Sequence, residues 1–141
     1  MDEALRLAGA TGRMGNVPVG AVIVIDGKIV ARAANLRETL QDPTAHAELL
    51  VLREAAAKTG SWRLEDATMI VTLEPCAMCA AAIAQARIQR LVYGADELKT
   101  GAVTHGPRLL EGHPVVVERG LKSNESLTLL ERFFKKLRGR E

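Results

Sequence analysis

Apolar positions recur along the chain with two different periods, and each period marks one kind of element. Glu3 to Ala10 has the spacing of a short helix. Two apolar runs, Val19–Ile25 and Lys28–Ala33, are separated only by Asp26-Gly27, a pair suited to the positive φ angles of a type I′ turn, so a hairpin is predicted there. Pro43–Lys58 is predicted to be a helix, with Pro43 in its first turn and Gly60 just past its end. Ala67–Leu73 is a continuous apolar run, β-branched at Thr68, Ile70, Val71 and Thr72, as in a strand covered on both faces. Pro75–Arg87 is an alanine-rich helix opened by a proline. Ile88–Tyr93 and Pro114–Glu118 are two further strands, and Asn124–Leu137 is a last helix with Leu127, Leu130, Phe134 and Leu137 on one stripe. Helices lying between strands imply parallel crossovers. The expected fold is α/β: one domain over residues 1–141, a three-layer α/β/α sandwich around a mixed five-stranded sheet, with Lys99–Pro107 in its longest loop.

Composition narrows the class without naming a chemistry. A length of 141 residues suffices for one domain with a real core, and 48% hydrophobic with 26% charged residues is ordinary for a soluble globular protein. No apolar run approaches the roughly 20 residues of a membrane span. Met1–Ala10 carries Asp2 and Glu3 and no basic stretch, so it does not resemble a signal peptide, and a cytoplasmic location is expected. The formal charge of +2 is unevenly placed: Arg119–Glu141 holds seven Lys/Arg and three Glu. That basic end suits either a polyanion or a solvated helix terminus.

Candidate chemistry falls at the starts of the two middle helices. The first reads Pro43-Thr44-Ala45-His46-Ala47-Glu48, the second Glu74-Pro75-Cys76-Ala77-Met78-Cys79, with the only two cysteines of the chain. A Cys-x-x-Cys pair at a helix start puts two sulfurs on one side of the first turn, where the helix terminus favours thiolates. Alone, such a pair is also read as a redox pair or as half of a structural zinc site. No second pair completes a four-ligand site, and Pro75 precedes the pair rather than lying within it. His46 supplies a third ligand, and three protein ligands with one open position make a catalytic zinc site. Glu48, two positions after His46, is poorly placed to be a ligand beside it and suited to move protons instead. His105 and His113 have no such context and read as ordinary loop residues.

Beyond the zinc motif, the blocks Val17-Pro18-Val19-Gly20-Ala21-Val22, Asp42-Pro43-Thr44-Ala45-His46-Ala47-Glu48, Val71-Thr72-Leu73-Glu74-Pro75-Cys76 and Lys99-Thr100-Gly101-Ala102 carry a family likeness. On them the chain resembles the bacterial tRNA-specific adenosine deaminases of the cytidine-deaminase-like superfamily. The resemblance implies one Zn²⁺ per chain on His46, Cys76 and Cys79, with Glu48 as the catalytic acid–base. It implies a tRNA anticodon stem-loop as partner, with a wobble adenosine flipped from its stack and converted to inosine. Asn35 would hydrogen-bond the flipped nucleoside, Val17, Pro18 and Leu73 would pack on the base, and Ala47 would join the substrate contacts. The Lys99-Thr100-Gly101 loop would approach the anticodon backbone, and Lys135, Lys136 and Arg138 would attract phosphates. A homodimer is implied as well, for which the apolar helix segment Ala80–Ala86 suits an interface and burial against the sheet equally.

The chain differs from the usual family text at Asn16, where an acid is common, and at Glu97, where aspartate is. Its first helix looks truncated ahead of the glycine-rich Gly9–Gly15, and Val103–Pro114 is short. Two alternatives remain open at this point: a deaminase of a free nucleobase or nucleoside of the cytosine or guanine type, and a non-catalytic zinc-binding subunit that helps a partner grip RNA.

Overall fold

At the Asp26-Gly27 turn both residues have positive φ, 51° and 74°. The flanking strands, β1 (Gly20–Ile25) and β2 (Lys28–Ala34), pair antiparallel from Ile25↔Lys28 to Gly20↔Ala34. The structure, a computed structural model, describes residues 1–139. In chain order it contains α1 (Asp2–Arg13), β1, β2, α2 (Arg37–Leu40), α3 (Ala47–Thr59), β3 (Thr68–Leu73), α4 (Ala77–Gln85), β4 (Arg90–Ala95), β5 (Val116–Arg119) and α5 (Ser123–Arg138). The five strands form one sheet in the order β2-β1-β3-β4-β5, with β1 antiparallel to both its neighbours and β3, β4 and β5 mutually parallel. α1 and α5 pack together on the sheet at β1 and β4, and α3 and α4 form the other helical layer. Tyr93, Ile23, Leu64, Met69, Ile83 and Leu91 are the largest apolar side chains fully enclosed between the layers. This is the mixed five-stranded α/β/α sandwich that the apolar pattern predicts.

Local chemistry moves several boundaries. α1 is longer than the expected Glu3–Ala10: it runs from Asp2 through Gly9 and Gly12 to Arg13. Gly12 lies where a neighbour comes close, for a Cβ there would stand 3.2 Å from Pro18 Cβ. The closest approach is at Gly20, where a Cβ would lie 2.0 Å from the Ala4 carbonyl oxygen, so α1 rests directly on the backbone of β1. α3 begins at Ala47, not Pro43. Asp42 Oδ1 accepts both the amide (2.8 Å) and the hydroxyl (2.7 Å) of Thr44, a side-chain turn that competes with helix and delays its start. α4 likewise starts after its proline, at Ala77, with Cys76 as N-cap.

α5 needs the largest correction. The expected stripe of Leu127, Leu130, Phe134 and Leu137 is not the buried one: Leu127, Phe134 and Leu137 are 39%, 39% and 46% exposed. The inward face is Ser126, Leu129, Leu130 and Phe133, centred on a small polar residue. Ser126 lies against β4 at Gly94, where a Cβ would come within 2.6 Å of Ser126 Oγ, so nothing larger fits. Arg140 and Glu141, which complete the basic end read from the sequence, lie outside the described residues.

Candidate active site

Both catalytic-helix starts are built alike. His46 is the N-cap of α3 and Cys76 the N-cap of α4, each with extended backbone (ψ 148° and 177°), and Cys79 follows in the first turn of α4. Extended backbone at the cap turns each side chain away from its own helix and into the space between the two. His46 Nδ1 stands 3.7 Å from Cys76 Sγ and 3.5 Å from Cys79 Sγ, and the three atoms lie within 4.8 Å of one another. Zinc bonds of about 2.3 Å to sulfur and about 2.0–2.1 Å to nitrogen, at tetrahedral angles, separate such donors by roughly 3.6 Å. The donor set therefore fits a zinc ion in both chemistry and spacing.

The electrostatics prepare the same site. Cys76 ionises far below the ordinary thiol range, at about 4, because the Cys79 thiol donates to its sulfur and His46 lies beside it, which together outweigh its partial burial. Cys79 is pushed up by that same hydrogen bond and by burial, so the pair holds one proton between two sulfurs. A metal ion would displace that proton and the one His46 shares with the sulfurs. The Cys76 sulfur draws His46 upward against its own desolvation. Glu48, in the first turn of α3, is 4% exposed, and burial pushes its carboxyl up to about 7 against the pull of His46.

A cavity of about 220 Å³ opens over this floor, walled by His46, Glu48 and Cys76 with Val17, Asn35, Leu73 and Thr100. That is smaller than the roughly 300–1,000 Å³ of pockets for drug-sized ligands and suits a single base. Asn35 is held on both ends of its amide: Nδ2 donates to the Val17 carbonyl (3.1 Å), and Oδ1 accepts from the Arg37 amide (3.1 Å). One Nδ2 hydrogen and one Oδ1 lone pair stay free for a ligand. Three expected contacts are placed elsewhere. Pro18 is buried against Gly12 of α1 and does not wall the cavity. The Ala47 side chain is fully buried in the core, and Lys99 is exposed outside the cavity wall. Gly101 supports the wall rather than forming it: it bridges to Cys76, and its amide caps back onto the Glu97 carbonyl at 3.0 Å.

The residue that sequence reasoning missed is Glu74. Its side chain is wholly enclosed, yet it accepts the amides of Glu97 (3.0 Å), Val103 (3.2 Å), Thr104 (2.9 Å) and His105 (3.0 Å) and meets His105 Nδ1 at 2.7 Å. Burial alone would raise its carboxyl; the His105 amide and ring, with the Glu97 and Thr104 amides, hold it down at about 2. Glu74 thus folds the loop after β4 around itself and against the ligand helix. A Cβ at Gly101 would fall 2.6 Å from the Glu74 carboxyl carbon, so that loop closes only over a glycine. His105, read as an ordinary loop residue, is the ring partner of this carboxylate. The one available signal was position: a charged residue ending an apolar strand, ahead of a glycine-bearing loop. Arg37 and Glu38, on the unexpected helix α2, also wall the cavity.

Comparison with known proteins agrees with this geometry. The family model described as MafB19-like deaminase matches residues 1–138. A tRNA-specific adenosine deaminase of Bacillus subtilis is 46% identical over 142 residues, covering 98% of this chain and 88% of that protein. A structure solved in a study of A-to-I editing by tRNA:A34 deaminases at the wobble position of transfer RNA superposes with a TM-score of 0.90 at 47% identity, covering 92% of this chain and 97% of that one. A guanine deaminase structure from Bacillus subtilis superposes with a TM-score of 0.65 at 41% identity, over 67% of this chain and 61% of that one. The chain belongs to the MafB19-like deaminases and, among them, to the family of the bacterial tRNA-specific adenosine deaminases, hydrolytic enzymes of the cytidine-deaminase-like fold.

Proposed function

We propose that this protein converts adenosine to inosine at the wobble position of a tRNA anticodon by hydrolytic deamination, with one zinc ion per chain held by His46, Cys76 and Cys79. The observation that carries this reading is a Glu48 only 4% exposed, opening onto the floor of a cavity sized for one base, beside a three-ligand set that leaves one position open. When bound, zinc supplies a Lewis acid that lowers the pKa of water to near neutrality. Glu48 then accepts a proton from the attacking water and delivers it to the ring nitrogen next to the reacting carbon; it takes the second proton from the hydroxyl left on that carbon and gives it to the amino group, so that the carbonyl forms as the carbon–nitrogen bond breaks and ammonia leaves. Asn35 orients the nucleoside with its free amide hydrogen and carbonyl lone pair, while Val17 and Leu73 pack on the base and shut out bulk water. Thr100 and Lys99, at the cavity mouth and beside it, meet the anticodon backbone.

An anticodon stem-loop is the partner that likeness to the tRNA-specific adenosine deaminases supports, and a cavity of about 220 Å³ suits one flipped base. Binding energy for flipping must therefore come from the surrounding nucleotides, which a free nucleoside lacks. Exposed Lys135, Lys136 and Arg138 on α5 supply phosphate attraction. Such a substrate implies a cytoplasmic protein, and among the described residues no helix is long and apolar enough to cross a membrane.

The protein also forms a homodimer in this reading. Between α3 and α4 lies an open apolar groove walled by Leu49, Leu52, Ala56, Trp62 and Ala82, with Trp62 59% exposed. Ala80 and Ile83 of the alanine-rich helix face the core while Ala82 and Ala86 line the groove, so that helix serves burial and interface at once.

The test is a substrate panel: an ACG-type anticodon stem-loop, free adenosine, cytosine and guanine, each assayed for ammonia release. Turnover of the stem-loop with little or none of the free compounds is expected. Efficient turnover of a free base with an unreacted stem-loop would replace this reading by a free-base deaminase.

A further inference from the structure

Asn16 has no part in the chemistry described above, yet it is fully buried beside the active site with every polar atom of its side chain engaged. Its Oδ1 accepts the amides of Glu38 and Thr39, each at 3.0 Å. These are amides of the first turn of α2, whose own N-cap position is Leu36, a residue with no capping side chain. Asn16 thus caps a helix that begins 21 residues further along the chain. Its Nδ2 donates to Thr39 Oγ1 (2.8 Å) and to Thr11 Oγ1 (3.1 Å). Thr11, itself buried in α1, donates its single hydroxyl hydrogen to the backbone carbonyl of Asn35 at 2.5 Å.

The result is a directional chain. An Asn16 N–H donates to Thr11, and the Thr11 O–H donates to Asn35, while the other end of Asn16 fixes the Glu38 and Thr39 amides. Asn35 and Arg37, both in the cavity wall, sit between these two anchor points. The direction cannot be reversed. Thr11 has one hydrogen, already committed to Asn35, so it can only accept from position 16, and the residue there must donate.

We infer that Asn16 is a positioning residue for the deamination site: acting through Thr11 and α2, it fixes Asn35 and the Arg37-bearing rim in the geometry that holds the target nucleoside. The inference rests on the proposed role of Asn35 toward the substrate. Misplacing a held base by about 1 Å costs on the order of a hundredfold in rate, so loss of this clamp acts on turnover more than on zinc or overall fold.

Asn16→Asp keeps an acceptor for the two α2 amides but cannot donate to Thr11. Thr11→Val removes the hydroxyl at almost unchanged shape, and Thr11→Ser restores it. The measurements are single-turnover deamination of the stem-loop at saturating protein, dissociation constant for the same RNA, bound zinc, and the nitrogen-15 resonances of the Asn35 side-chain amide. Asn16→Asp and Thr11→Val are each expected to slow the single-turnover step about tenfold or more with much smaller changes in RNA affinity and full zinc. Thr11→Ser should react near the wild-type rate, and the Asn16→Asp/Thr11→Val double variant should be no slower than the worse single one, since both break one chain. The Asn35 amide signals should shift in Asn16→Asp and Thr11→Val and stay in place in Thr11→Ser.

Variants that lose thermal stability but keep the wild-type rate, or rate losses that multiply in the double variant, would overturn the inference. Should Asn16→Asp fail to fold, Thr11→Val against Thr11→Ser decides alone: equal rates and unchanged Asn35 signals overturn it. If the wild-type protein leaves the stem-loop unreacted, the substrate reading fails, and the Asn35 resonances still decide whether Asn16 and Thr11 hold that side chain.

Discussion

Glu48 and Glu74 are both enclosed carboxylates near the zinc ligands, and their surroundings drive them in opposite directions. Glu48 has few compensating donors, so without a metal burial dominates and lifts its carboxyl to about 7; a bound cation would draw it back down, and a carboxyl balanced between the two is suited to take and give protons. Glu48→Gln is expected to keep bound zinc and the melting temperature while losing about a hundredfold or more in turnover, since general acid–base catalysis contributes about 10² to 10⁴. A variant with substantial residual turnover would place the proton transfers on another group. Glu74 has five donors and is held at about 2, against an ordinary value of 4.5. A carboxyl lowered on folding stabilises the protein above its unfolded pKa, and this contribution fades as pH falls toward the folded value. Glu74→Gln should therefore cost up to about 3 kcal/mol near neutral pH. The gap between wild type and variant in thermal denaturation should narrow from about pH 4.5 downward to about pH 2. A gap that does not change with pH would contradict the ionised, donor-saturated carboxylate.

At the scale of elements, two helix starts and the strand between them bring the ligands together. Cys79→Ala should release the bound zinc, measured by elemental analysis after removal of loose metal, and should lower the melting temperature because the ligands tie α3 to α4. Full zinc content in that variant would refute the ligand assignment. The hairpin, the buried strand β3 and both ligand helices were legible in the sequence because their signals are local: a turn pair, a continuous apolar run, a proline ahead of a helix. What misled were competitions that local pattern does not register. The Asp42–Thr44 side-chain turn holds Pro43–Ala45 out of α3 and thereby makes His46 a cap rather than a mid-turn residue. On α5, Ser126 occupies the centre of the buried face because Gly94 of β4 lies beneath it, a constraint set by a residue 32 positions away. α2 went unseen because one of its caps, Asn16, is distant in sequence.

For the whole molecule, the zinc motif was plain in the chain, whereas the cavity above it is assembled from β1's approach, β2's exit, α2 and the loop after β4. In the proposed homodimer, the contact would use the apolar groove between α3 and α4, on the face away from the α1–α5 layer. Trp62→Glu is expected to shift the protein from dimer to monomer in sedimentation equilibrium, since it sets a charge in the middle of an apolar contact. An unchanged dimer would move the interface elsewhere. Hydrolysis at one base of a folded RNA leaves a label that mass spectrometry of the stem-loop reads after reaction in heavy-oxygen water. Inosine is expected at the wobble position alone, carrying a solvent-derived heavy oxygen at its six-carbonyl, with ammonia released in equal amount. An unmodified stem-loop, inosine distributed over other adenosines, or a carbonyl oxygen not drawn from water would contradict hydrolytic deamination at that one base.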